Sequence, residues 1–493
     1  MEVYEVLRFK IDIHRSCFVF FTLSFYGCSQ RSLTGRIFDH SAVRFIKIPS
    51  MKKVYLETFG CQMNVSDSER IATRLAADGF EIIEDQTLAD VVLLNTCSVR
   101  DKAEHKIFTR VGQIRKELAQ KPVLGILGCV AQLEGETLFQ KQSGIDFVLG
   151  TKAVGRISEI IGKSLTGQTE LSDLGEREAD YDWSVADAQR HSPYVAFVPI
   201  IEGCNKFCTY CIVPFARGRE QSLNADIIVR HVLELCRKGI REVHLIGQNV
   251  NSYRPKTENG LENFRGATAF SRLLRAVAAT GIERLKFTTS FPRDFHPDII
   301  AALDEHENLC NWVHLPVQSG SNRILRAMRR GHTVENYLER IDKIKASPRR
   351  ISLTTDLIVG FPGETDADFQ ATLAVADYCR FNSAYYFKYS PRPGTPAHDL
   401  PETVSEAVKT ERFARLDRSI RHHQRAVFQG YVGRTLEVLA EKVSVKHPNQ
   451  LSGHSTCQMV VNFEGAANLL GSIVKVEITE SKVNTLYGKI RSS

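Results

Sequence analysis

The chain predicts an α/β protein in three parts: an N-terminal open parallel α/β sheet, a central, partial TIM-type β/α barrel, and a small C-terminal β-barrel. Three observations carry this. Short apolar runs alternate with helical periodicity from residue 51 to 165 and again from 194 to 402. Such alternation implies parallel strands flanked by helices. Near-continuous apolar runs, DVVLLNTC at 90–97 and VLGILGC at 123–129, suit strands covered on both faces. From residue 431 onward, short strand-like runs are separated by glycines, the pattern of a small closed barrel.

Taken in order, the first part should hold strands at 54–61, 90–97 and 123–129 and a further unit beginning at 146–150. Helices are expected at 67–79, where Ile71, Leu75 and Phe80 share one side, and at 100–120. Residues 166–193 are polar, acidic and without apolar periodicity, and read as a linker. Six βα-like units come next, with strands at 194–202, 243–247, 284–289, 312–316, 353–359 and 384–389. Pro391, Pro393, Pro396 and Pro401 end them. A charged helix over 403–430 then connects to the tail, 431–493, with strands expected at 435–442, 457–463, 472–479 and 485–490.

Of 493 residues, 43% are hydrophobic and 25% charged, which suits a globular protein of several domains. The twelve cysteines are spread along the chain rather than packed into a secreted disulfide scaffold. Reduced thiols used as metal ligands in the cytoplasm fit better. Net charge is +7; residues 1–50 hold seven Lys/Arg against four Asp/Glu, so +3 of it lies there. The rest is too mild to establish a nucleic-acid partner by itself.

Residues 1–50 differ in character from the remainder of the chain. The apolar stretch 16–28 is too short to span a bilayer, so no membrane association is expected. Arg8, Lys10 and Arg15 ahead of it imitate a signal peptide, but no clean cleavage site comes after it. Glu2, Glu5 and Asp12 oppose a mitochondrial presequence. The segment is read as a spurious or disordered extension ahead of a start at Met51, with organelle targeting as the alternative.

The most specific motif is the run 202–211, EGCNKFCTYC, which spaces Cys204, Cys208 and Cys211 as C-x3-C-x2-C. Three clustered thiolates can hold three corners of a 4Fe-4S cube and leave one iron open to a small molecule. A structural zinc site normally takes four protein ligands and is the alternative. Spacing and the aromatic Tyr210 match the hallmark of radical S-adenosylmethionine (SAM) enzymes.

A second set is separated in sequence. Cys61, Cys97 and Cys129 end the runs ETFGC, LLNTC and ILGC, each at the C-terminal end of an expected strand. In an open parallel sheet those ends share one edge, where ligands bind. Three thiolates there could hold a second cluster, with Gly60 and Gly128 allowing close backbone approach. Buried small cysteines are the alternative. Cys17, Cys28, Cys236, Cys310, Cys379 and Cys457 lack such placement.

The blocks FGCQMN (59–64), NTCSVR (95–100), GCVAQ (128–132) and GCNKFCTYCIVPFARG (203–218) resemble the radical SAM methylthiotransferase family. The tail is similar to that family's RNA-binding TRAM barrel, and the resemblance spans 51–493. Within the family, GCQMN and NTCSVR resemble the branch acting on N6-(dimethylallyl)adenosine beside the tRNA anticodon. Sister branches act on threonylcarbamoyl-adenosine or on a ribosomal-protein aspartate. The resemblance implies two 4Fe-4S clusters, on Cys204, Cys208 and Cys211 and on Cys61, Cys97 and Cys129, together with two SAM molecules. It implies SAM contacts at Tyr210, Gly247, Gln248, Asn249, Gln318, Ser319 and Gly360, with turn positions as the alternative.

It also implies a tRNA anticodon stem-loop as partner, a low-potential electron donor of flavodoxin or ferredoxin type, a sulfur source and a monomer. Arg217 and Arg219, just after the cluster loop, are candidates to touch substrate or SAM. Lys409, Arg412, Arg415, Arg418, Arg421 and Arg425 recur every three or four residues along the connector helix, partly offset by Glu406, Glu411 and Asp417. They form a phosphate-contact face or a solvated one. An RNA-binding protein with structural metal sites is the competing reading from a different class.

Overall fold

The computed structural model describes residues 51–98, 101–175, 185–444, 447 and 449–491, without the side chains of 101–105. The expectations for residues 1–50 lie outside the described residues.

The first part comprises β1 (Lys53–Thr58), α1 (Gln62–Ala77), β2 (Glu81–Ile83), β3 (Val91–Thr96), α2 (Asp101–Glu117), β4 (Val123–Gly128), α3 (Cys129–Glu134), α4 (Thr137–Lys141), β5 (Phe147–Leu149), α5 (Ile157–Leu165) and β6 (Leu171–Asp173). Its sheet is parallel throughout, in the order β2-β1-β3-β4-β5-β6. The all-apolar β3 run is explained by burial on two sides. Val92 and Leu94 pack with Ile107, Val111 and Ile114 of α2, while Val91 and Leu93 pack with Ile71, Leu75 and Ile161.

Two expectations change. Helix α1 starts at Gln62 rather than 67, so the FGCQMN block is itself the strand-to-helix turn. The stretch 166–193 is not wholly a linker, because β6 joins the sheet beside β5. Its polarity is that of an edge strand: Asp173 accepts two hydrogen bonds from Arg156, at 2.6 and 2.7 Å.

The second part comprises β7 (Val195–Pro199), β8 (Ile201–Glu202), α6 (Val213–Arg217), β9 (Gln221–Ser222), α7 (Ala225–Arg237), β10 (Glu242–Ile246), α8 (Ala269–Ala278), β11 (Arg284–Phe287), α9 (Pro297–Glu305), β12 (Trp312–His314), α10 (Asn322–Ala327), α11 (Val334–Lys345), β13 (Ser352–Val359), α12 (Asp366–Cys379) and β14 (Ser383–Lys388). Two parallel sheets, β11-β10-β7 and β12-β13-β14, join through the Leu285–Leu309 bridge. The result is an open arc of six strands with β7 and β14 at its two edges. Period-two alternation sorts the side chains. Val243, Leu245, Leu285, Val313, Leu353 and Leu357 face the helices. Glu242, His244, Lys286, His314 and Asp356 take the opposite, concave face.

Helix α13 (Glu406–Gln429) starts at Ser405, whose hydroxyl accepts from Val408 N. It leads to β15 (Thr435–Val443), β16 (Gln450–Ser455), β17 (Val460–Glu464), β18 (Ile473–Ser481) and β19 (Leu486–Ile490), which close in the order β15-β16-β17-β19-β18. Strand β16 was not expected, because QLSGHS is mostly polar. Gly453 is required there, since a Cβ would collide with Leu439 O across the pair. The three parts meet where Met63 and Leu439 pack on Val195, Phe197 and Ile246. No helix among the described residues is long and apolar enough to cross a membrane.

Candidate active site

Cys204, Cys208 and Cys211 lie on the loop between β8 and α6, the first two buried and the third half-buried. The loop is pinned from three sides. Cys204 N donates to Gly218 O at 3.1 Å, Thr209 N to Met328 O at 3.1 Å, and Ala397 N to Thr209 O at 2.8 Å. Gly203 has φ +81° and abuts the Arg219 backbone, so no side chain fits there. Burial pushes the Cys204 thiol up, and pushes Cys211 up to about 12. Two groups aim charge or a donor at these sulfurs. Asn249 Nδ2 donates to Cys204 Sγ at 3.0 Å, and Arg330 Nη1 lies 3.5 Å from Cys208 Sγ. Both stand where an iron-bound sulfur would carry negative charge.

The second set converges at the sheet rim. Cys61 is the N-cap of α1, Cys97 comes directly after β3, and Cys129 opens α3. Asn64 and Asn95, from the two motif blocks, tie the rim together. Asn64 Nδ2 donates to Thr96 O and Asn95 Nδ2 donates to Asn64 O, each at 2.9 Å. Gly60 (φ +129°) abuts Cys97, and Gly128 (φ +87°) abuts Asn95 and Thr96. A hydrogen bond from Cys97 brings the Cys61 thiol down to about 6 against the effect of burial, with help from the Arg217 charge. Burial raises Cys129, and Arg217 offsets part of that.

Arg217 bridges the two sets. It is 3% exposed, and its guanidinium pairs with Asp67 of α1 at 2.6 Å and with Glu202 at 3.4 Å. It is therefore turned inward, its charge paired with Asp67 and Glu202, and not presented on the outer surface. Arg219 is exposed.

Among the SAM candidates, Gln248 Oε1 accepts from Gly203 N at 2.6 Å, and a Cβ on Gly247 would strike Ile201. With Asn249, these residues brace the cluster loop. Gln318 adopts φ 76° and bridges β13 through Asp356 O and Ile358 N, both at 2.9 Å. Ser319 is fully buried, 3.4 Å from Thr372 of α12, and Gly360 abuts Lys409 of α13. Both lie toward the helix layer rather than the concave face. Tyr210 packs against the cluster that holds Phe361 and Tyr389, its hydroxyl 3.5 Å from Arg330.

On α13 the basic series is split. Lys409 is buried and paired with Glu402 at 2.5 Å, and Arg412 is buried and paired with Glu364 at 2.7 Å. Arg415 is half-buried, pairing with Glu411 at 3.3 Å and lying over Phe369. Arg418, Arg421 and Arg425 are exposed. A continuous basic face along the whole helix is therefore corrected: its first turns pack on the barrel, and only its C-terminal half presents arginines to solvent. Sequence reasoning missed Arg330, Asn64 and Asn95. The two asparagines stood inside quoted motifs, whereas Arg330 carried no local signal.

Among the described residues, no three His, Cys, Asp or Glu side chains converge tightly enough to hold one metal ion. A zinc ion would want its cysteine sulfurs all about 2.3 Å from one centre, whereas a four-iron cube accepts three thiolates set wider apart.

An open βα arc carrying three cysteines on its first loop defines a radical SAM enzyme. Residues 198–376 match the Radical SAM superfamily, 53–150 match Uncharacterized protein family UPF0004, and 429–490 match the TRAM domain. The radical S-adenosylmethionine methyltransferase TsrM from Kitasatospora setae shares the fold, with TM-score 0.52 at 13% identity over 71% of this chain and 74% of that one. Proteins named tRNA-2-methylthio-N(6)-dimethylallyladenosine synthase are much nearer in sequence. That of Koribacter versatilis is 40% identical over 444 residues, 89% of this chain and 98% of its own length. That of Coxiella burnetii is 42% identical over 444 residues, 89% of this chain and all of its own. The chain belongs to the tRNA-2-methylthio-N(6)-dimethylallyladenosine synthase family of methylthiotransferases.

Proposed function

We propose that this chain replaces the C2 hydrogen of N6-(dimethylallyl)adenosine, next to the tRNA anticodon, with a methylthio group. One observation carries the reading: a second rim of thiols is locked beside the radical SAM loop by Arg217. Cys204, Cys208 and Cys211 would hold a 4Fe-4S cluster that binds SAM, and Cys61, Cys97 and Cys129 a second one at the sulfur-transfer site. When bound, these groups supply one-electron cleavage of SAM and a sulfur to transfer, the chemistry an unactivated aromatic C–H requires.

The protein's own part is placement. Asn249 donates a hydrogen bond to the first sulfur set, and Arg330 sets a positive charge beside it. Asn64 and Asn95 fix the spacing of the second. Arg217 holds the two loops in one register; Cys97 and Cys129 are buried, whereas Cys61 is exposed.

The TRAM barrel and the exposed Arg219, Arg418, Arg421 and Arg425 are the surfaces for the anticodon stem-loop. A low-potential flavodoxin or ferredoxin would supply electrons, a separate source would restore sulfur, and the enzyme would work as a cytoplasmic monomer. The test is mass analysis of tRNA nucleosides from a strain lacking the gene. The prenylated adenosine should accumulate without its methylthio group; an unchanged nucleoside profile would overturn the reading.

A further inference from the structure

The open edge of the barrel carries two large aromatic side chains that stay largely exposed. Along β14, Ala384 and Tyr386 pack against the helix-side core. Alternation therefore sends Tyr385 and Phe387 to the concave face, where they remain 53% and 40% exposed. Large aromatics on a concave face are normally covered, since each carries substantial apolar area.

Their neighbours point to a ligand. Tyr385 pairs with Asp356 and Phe387 with Ile358 across the β13–β14 ladder. Ile358 in turn packs in the same cluster as Tyr210, the residue before Cys211. Through Ile358 the aromatic pair thus adjoins the apolar cluster of Phe361 and Tyr389, against which Tyr210 of the cluster loop also packs. Asp356 is 29% exposed and lies 3.5 Å from His314 Nε2, while the His314 ring meets Tyr385 edge-on at 6.1 Å. At the other edge of the arc, β7 packs against α1, which is headed by Cys61.

We infer that Tyr385, Phe387 and Asp356 form the pocket for the target nucleotide, with the adenine stacked on Tyr385, the dimethylallyl group against Phe387 and Ile358, and the Asp356 carboxylate accepting from N6–H. This rests on the function proposed above and names the residues that choose its substrate. The arrangement explains both halves of the choice. Splayed RNA bases are held by stacking on aromatic rings, which tolerates any base. The apolar substituent then gains from Phe387 and Ile358. A substituent carrying its own carboxylate, as on threonylcarbamoyl-adenosine, would bring like charge toward Asp356 and be rejected.

The experiment uses full-length, cluster-loaded protein and anticodon stem-loop RNAs that are bare, prenylated or threonylcarbamoylated, with methylthio product quantified by mass. Tyr385→Ala should raise KM for the prenylated RNA about tenfold with a smaller change in kcat, the loss expected for one base stack. Phe387→Ser should cut the prenylated-to-bare ratio of kcat/KM by about fivefold. Asp356→Asn should lose part of the preference for prenylated over threonylcarbamoylated RNA. Both aromatic side chains are exposed, so iron content and melting temperature should stay at wild-type values. Variants that keep the wild-type KM and ratios overturn the pocket while leaving the function intact. A wild-type protein that fails to convert prenylated RNA overturns the function itself.

Discussion

Replacing Arg217 with Met keeps most of its length and removes its charge. In the folded protein that charge sits between Asp67, at 2.6 Å, and Glu202, at 3.4 Å, with all three side chains under 10% exposed. Asp67 would keep its longer contact to Arg70, at 3.5 Å. Removing one partner of a buried ion pair leaves a carboxylate desolvated without full compensation, at a cost of about 3 kcal/mol. Spread over a compact unit of this size, that corresponds to a melting temperature lower by roughly 3 °C. Because the pair joins α1 to the cluster loop, the variant should also lose iron from the Cys61, Cys97 and Cys129 rim first. Thermal melting and iron analysis of anaerobically reconstituted protein check this, and adding Asp67→Asn should recover part of the lost stability. An Arg217→Met protein that melts like wild type, yet binds tRNA more weakly with a flatter salt dependence, would refute the reasoning and return Arg217 to an RNA-contact role.

The same geometry sets the outcome of other substitutions. Cys208→Ala should abolish SAM cleavage, since it removes one of three ligands and the sulfur beside Arg330; continued 5′-deoxyadenosine formation would show that SAM is cleaved elsewhere. Changing Cys61, Cys97 and Cys129 together to Ala should leave SAM cleavage in place, halve the iron and stop methylthio transfer. Along α13, Arg412→Ala should destabilise the protein through loss of the Glu364 pair. Arg418→Ala with Arg425→Ala should leave stability unchanged and weaken tRNA binding in a salt-dependent way, read by affinity across a salt series.

The parallel sheet and the six barrel strands were legible because buried βα units write nearly unbroken apolar runs, as in 90–97 and 123–129. The cysteine sets were legible for different reasons. Cys204, Cys208 and Cys211 are a local spacing. Cys61, Cys97 and Cys129 could be joined only through the rule that parallel strand ends share an edge. What failed was tertiary. A polar edge strand such as Leu171–Asp173 looks like a loop, because one side of it faces water. Gln450–Ser455 hides behind a glycine that its neighbour's backbone demands. Arg217 and Arg412 look like surface cations until Asp67 and Glu364 are brought beside them by distant elements. Arg330 reaches Cys208 across 122 residues, a pairing no periodicity encodes.

The most direct test of the central claim offers purified, cluster-loaded protein three stem-loop RNAs side by side, with the adenosine 3′ of the anticodon bare, prenylated or threonylcarbamoylated. The account predicts that the prenylated RNA gains the mass of a methylthio group in place of hydrogen, while the other two gain little. Preference for the threonylcarbamoyl RNA, or product from the protein lacking Cys61, Cys97 and Cys129, would contradict it.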